Sequence, residues 1–221
     1  MKKQPLTLVD SGLDHKQYHL LKSLNTPAKI QDFLNTLPFN FEKRGETHNS
    51  VRATLKSGRA HCFEGALLAA TALWIQGRKP LILDLKTARP DLDHVLTLFS
   101  ATRTGGPASG GRKYWGAISK TNHSVLRYRE PVYKNVRELV MSYFHEYFLN
   151  NGKKTLRSFS KPFDLSKLGT DWITTTENLA DLAHALDISP HTKILSPKQI
   201  KKLRQAEKIE IKAANIVQFK K

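Results

Sequence analysis

Between Val136 and Phe148, apolar side chains fall at Val136, Leu139, Val140, Tyr143, Phe144, Tyr147 and Phe148. This is the i, i+3, i+4, i+7 repeat of an amphipathic helix, and Asn150-Asn-Gly152 supplies its stop. Ile30, Phe33, Leu34 and Leu37 repeat in the same way behind Thr26 as N-cap and Pro27 at the first helical position, and Pro38 ends that helix. From Ala60 to Ile75 the pattern is different. After His61 the only polar side chains are Glu64 and Thr71, so this helix is apolar on nearly every face and belongs at the centre of the fold.

Shorter apolar runs read as strands. Leu81–Leu85 and His94–Phe99 are two of them, Tyr114–Ile118 a third, and Val125–Arg129 a fourth that Pro131 stops. The glycine-rich stretch 104–112 lacks the strand-and-helix flanks of a phosphate cradle and reads as a surface loop. Beyond Gly152 the chain turns polar and basic, with helices expected over 175–186 and 197–208. The expected organisation is one α+β domain over residues 1–152 and a basic helical C-terminal extension over 153–221. No internal repeat is present.

Composition narrows the class. With 221 residues and 39% hydrophobic side chains, the chain can bury an ordinary core. Its one cysteine excludes an intramolecular disulfide, and Met-Lys-Lys-Gln-Pro lacks the apolar run of a secretory signal, so a cytoplasmic location is expected. No apolar run reaches the ~18 residues that would span a membrane. The net charge is +17, and its excess lies after residue 50. Between Arg103 and Arg137 eight basic residues meet a single acid, Glu130, and Arg127-Tyr-Arg129 interleaves cation and ring, so nucleic acid is a candidate partner. A solvated basic face is the simpler reading. The histidines show no paired metal-ligand spacing, so neither a metal nor any other cofactor is expected.

The candidate chemistry centres on Cys62, where Lys56-Ser-Gly-Arg-Ala-His61 runs into the apolar helix. A thiol at a helix start sits beside unpaired N–H groups and the positive end of the dipole, which favour the thiolate. His94 is the candidate base. It opens a strand in which His94, Leu96 and Leu98 share one face. Antiparallel pairing with His94 opposite Ser119, Leu96 opposite Ala117 and Leu98 opposite Trp115 puts all six side chains on one side, the side expected to pack on the Cys62 helix. Asp93 points the other way. His61 is expected to cap the helix or face solvent, with lining the site as the alternative.

The order of these elements, a small helix, Gly58-Arg-Ala-His-Cys62 opening a central apolar helix that ends at Gly77-Arg-Lys-Pro80, Asp93-His94 starting a strand and Trp115 on the next, resembles the transglutaminase-like superfamily of papain-type folds. The resemblance spans residues 26–120. It implies a small antiparallel sheet packed on the cysteine helix, Cys62 as nucleophile and His94 as its partner. The family usually has an aspartate four residues after the tryptophan. Ser119 stands there, and Asn122, three residues on, is the other candidate to orient His94. Serine or asparagine orients an imidazole without adding the charge of a carboxylate. The implied function is a cysteine-dependent amide hydrolase or acyltransferase that works on a peptide or protein substrate through a thioester. The alternatives are a catalytically degenerate binding module of that superfamily and a nucleic-acid-binding protein.

Overall fold

The computed structural model describes residues 4–43, 45–102 and 113–220. The glycine-rich stretch 104–112, with Arg103 and Arg112, lies outside the described residues.

The helices begin and end where local chemistry requires. Thr26 Oγ1 accepts the Lys29 N–H at the start of α3 (Pro27–Thr36), after α1 (Leu8–Ser11) and α2 (His15–Ser23). Ser50 caps α4 (Val51–Ser57) in the same way, and Gly58, with φ 65°, ends it in a left-handed turn. The apolar helix α5 follows as Cys62–Ile75 and is buried along almost its whole length.

An antiparallel sheet takes the rest of the core. It comprises β1 (Leu81–Thr87), β2 (His94–Thr102), β3 (Lys113–Ile118), β4 (Arg129–Tyr133), β5 (Leu156–Ser160), β6 (Phe163–Asp164) and β7 (His191–Lys193). The order is β4-β3-β2-β1-β5-β7, with β6 also paired to β1. The protein is therefore α+β. Residues 153–220 are not a purely helical extension: β5 lies directly against β1, and α7 (Ala180–Asp187), α8 (Pro197–Lys201) and α9 (Lys208–Ala214) share the segment with strands and two 3₁₀ turns. Among the described residues no helix is long and apolar enough to cross a membrane.

The sheet separates two cores. On one side Ile82, Phe99 and Ile118 pack with α5, and Thr97 Oγ1 donates to the Ala66 carbonyl at 2.8 Å. On the other, Leu83, Leu85, Leu96, Leu98 and Ala117 pack with Leu139, Val140, Tyr143 and Phe144. The face holding Leu96 and Leu98 thus turns away from the cysteine helix, contrary to the sequence expectation. The reason is the pleat: Thr97 and Phe99 fill the α5 side, so their neighbours must face the other. The register also differs from the expected one, by two residues, with Leu98 opposite Ala117 rather than Trp115.

Two further elements depart from the sequence pattern. The fourth strand is Arg129–Tyr133 rather than 125–129, and it contains Pro131. β4 is an edge strand, where a missing N–H disrupts no central ladder. The helix expected through Phe148 stops as α6 (Val136–Met141), and a 3₁₀ turn, Phe144–Glu146, follows. Arg129 explains the break. Its guanidinium donates to Oγ and the carbonyl of Ser142 and lies 4.1 Å from the centre of the Tyr143 ring, satisfying a carbonyl at the helix end. The expected apolar residues still turn inward.

Candidate active site

Cys62 is the first residue of α5 and is half-buried. Two imidazoles reach it. Burial opposes the thiolate, but hydrogen bonds from His61 and His94, with their charges, outweigh it and hold the thiol well below its ordinary pKa. His94 opens β2 and Ser119 directly follows β3, so both sit at the rim of the sheet beside the start of α5.

The protonation of His94 follows from its partners. Nε2 lies 2.8 Å from Ser119 Oγ, and the Ser119 hydroxyl donates to the Leu126 carbonyl. A carbonyl can only accept, so the serine proton is committed there and Ser119 Oγ accepts from His94 Nε2–H. This leaves Nδ1 as the basic nitrogen for Cys62.

Ser119 is itself fixed. Its N–H donates to Gln31 Oε1 at 2.9 Å, and Gln31 Nε2 donates to its carbonyl at 2.8 Å. Leu126 adopts φ 62°, a left-handed conformation that costs a non-glycine residue about 1–2 kcal/mol. Its N–H donates to Glu146 Oε2 at 2.7 Å, and Glu146 pairs with Arg129 at 2.6 Å. The carbonyl that takes the serine proton is thus aimed by an ion pair on the far side of the sheet.

His61 is buried, not solvent-facing, and its ring closes the first turn of α5. Nε2 lies 2.7 Å from the Thr47 carbonyl and therefore carries a hydrogen. Burial disfavours the imidazolium. The hydrogen bond to Cys62, the charges of Cys62 and Glu64 and the Thr47 carbonyl outweigh this and raise its pKa to about 9. Glu64, fully buried, collects donors from Asn40 Nδ2, Thr47 Oγ1, the Asn49 N–H and side chain, and the His61 N–H, and lies 3.6 Å from His61 Nε2. A buried carboxylate surrounded by donors stays available to support a cation.

Asn122 does not orient His94. Its side chain donates to the Phe219 carbonyl at 3.0 Å and accepts the Phe219 N–H at 2.8 Å, clamping the tail of the chain. Asp93 accepts from Thr87 N–H and Oγ1, away from His94. Several of the described basic residues between 113 and 137 are engaged within the fold. Lys120 is buried on the Leu34 and Leu37 carbonyls, Arg129 pairs with Glu146, and Arg137 donates to the Ile194 carbonyl.

Two cavities meet at Cys62. One of about 530 Å³ is lined by His61, Cys62, Asp84, Asp93 and His184. The other, about 220 Å³, is lined by Cys62, His94, Asn122 and Tyr147. A larger cavity of about 700 Å³, between Phe39, Asn49, Arg59 and Phe219, touches neither Cys62 nor His94. The thiol, not the volume, places the site. Among the described residues no group of three or more His, Cys, Asp or Glu side chains is arranged to hold a metal ion.

The helix-start cysteine, the strand histidine and Ser119 are the residues the sequence brings forward. Gln31, Glu64, Leu126 and Glu146 carry no motif and emerge only from the tertiary contacts. No protein-family model matches the chain, and comparison with curated proteins gives no significant match.

Proposed function

We propose that the protein is a cysteine-dependent acyl-transfer enzyme of papain-like, transglutaminase-like architecture, an amide hydrolase or acyltransferase that works through a thioester on a peptide or protein. The observation that carries this reading is Cys62 at the start of α5, where two cavities meet, beside His61 and beside a His94 kept in a single tautomer by Ser119 and Leu126.

The residues support a full cycle. Cys62 attacks the substrate carbonyl as thiolate, its proton resting on His94 Nδ1. The tetrahedral intermediate collapses by breaking the carbon–nitrogen bond, and His94 returns the proton to the leaving amine. Water or a second amine then loses a proton to His94 as it attacks the thioester, and Cys62 leaves. His61, cationic through neutral pH, holds Cys62 as a thiolate between turnovers. Ser119 orients the imidazolium without adding charge to it.

The reading is tested by incubating the protein with p-nitrophenyl acetate and peptide esters and weighing the intact chain. An acyl adduct at Cys62, absent from Cys62→Ala, is expected. A thiol that alkylates readily but takes no acyl group from any ester favours the degenerate binding module instead. The nucleic-acid reading is weakened by the internal partners of Lys120, Arg129 and Arg137.

A further inference from the structure

Tyr143 and Tyr147 are both buried, four residues apart on the same apolar stripe, yet their hydroxyls differ. Tyr143 donates to the Arg127 carbonyl at 3.0 Å. The Tyr147 hydroxyl has no hydrogen-bond partner among the described residues, although its side chain is only 3% exposed. Leaving a buried hydroxyl unpaired costs about 1–3 kcal/mol, so such a group calls for a reason. Tyr147 forms part of the wall of the 220 Å³ cavity that Cys62 and His94 also line. It follows the 3₁₀ turn Phe144–Glu146, whose last residue already aims Leu126 at Ser119.

Cys62 brings a second donor to the same cavity. The Cys62 N–H, at the start of a 14-residue helix, takes no acceptor among the described residues. A carbonyl under attack by Cys62 needs donors placed where its oxygen becomes an oxyanion.

We infer that Tyr147 donates its phenolic O–H, together with the Cys62 N–H, to the acyl oxygen of a substrate bound at Cys62, which makes it a catalytic residue and its cavity the acyl-binding side of the site. This rests on Cys62 being the nucleophile proposed above. Only a hydrogen bond is made. The phenol keeps its proton, since burial, and then the charges of Cys62, Asp91, Tyr143 and Asp84, push its ionisation well above the ordinary range. Because the ring fills the same space without the hydroxyl, Tyr147→Phe removes an unpaired polar atom and leaves the packing in place.

The test compares two reactions of Cys62 in wild type and Tyr147→Phe. Alkylation by iodoacetamide forms no oxyanion, whereas acylation by p-nitrophenyl acetate does. The expected result is unchanged alkylation, an unchanged or raised melting temperature, and acylation slowed by at least tenfold and by up to about 10²–10³, the usual loss for one oxyanion donor. Acylation within twofold of wild type overturns the inference. So does a parallel fall in both reactions, which would place Tyr147 on the thiolate rather than on the acyl oxygen. A wild-type thiol that alkylates at low pH yet is never acylated overturns it too. A wild-type thiol with an ordinary alkylation profile instead sinks the nucleophile reading, and this inference with it.

Discussion

Nε2 of His94 and Oγ of Ser119 stand 2.8 Å apart, and the serine's own proton goes to the Leu126 carbonyl. The position therefore requires a group that accepts from the ring and donates to a carbonyl. A hydroxyl does both, and an ionised carboxylate does not.

Ser119→Asp should therefore lower Cys62 acylation, although aspartate is the residue the resembling family usually carries there. The carboxylate would face the Leu126 carbonyl with no proton to give. Ser119→Ala should also lower it, by about 10-fold or more, because His94 loses its fixed tautomer. Acylation rates of the two variants check this. A Ser119→Asp variant faster than wild type would show that the serine is a lost carboxylate and not a fitted hydroxyl.

Gly65, one turn into α5, lets the chain at Lys120 pass close by. A Cβ there would sit 2.4 Å from Lys120 Cβ, nearer than such atoms approach. Gly65→Ala should destabilise the fold by about 1–3 kcal/mol, as overpacking does, and should displace the adjacent Ser119. Urea titration reads the first effect and Cys62 acylation the second.

Replacing Glu64 with glutamine puts an amide donor where Asn40, Thr47, Asn49 and His61 all donate. Loss of roughly 3 kcal/mol is expected, the scale for breaking a buried charge–partner set. The pKa of His61 should fall from about 9, since Glu64 is one of the causes that raise it. NMR titration of the His61 ring follows the second effect.

Asn122→Ala should leave the pH dependence of Cys62 alkylation unchanged, because the side chain holds the tail rather than His94. Amide exchange at Phe219 should quicken, since its N–H loses the Asn122 oxygen. A shifted alkylation profile with unchanged exchange at Phe219 would contradict the assignment.

The strand residues of the site were legible because side-chain facing has a period of two. The real β2–β3 register slips by two residues from the simplest pairing, and a slip of two leaves His94 and Ser119 on the same side. The packing partner of that side was not legible, since alternation says which residues share a face and not which layer covers it. Tyr147 was hidden by a different effect. The apolar repeat from Val136 to Phe148 continues unbroken through the point where Arg129 draws off the Ser142 carbonyl and ends the helix. Periodicity reported the buried stripe, and nothing in it distinguished the tyrosine with a partner from the one without. Gln31 and Leu126 matter through a long-range amide pair and a left-handed backbone, neither of which leaves a local pattern.

The most direct test of the central claim is the pH dependence of Cys62 alkylation by iodoacetamide. A depressed thiol pKa means the reactive thiolate is retained as pH falls from 8.5 through 7 and is lost only at the lower folded-state value, while His61 stays protonated up to about pH 9. The account predicts a rate nearly flat from pH 8.5 to 7 in the wild type, and a midpoint shifted upward in both His61→Ala and His94→Ala. An ordinary thiol, with a midpoint near pH ~8.5 that neither histidine moves, would contradict it.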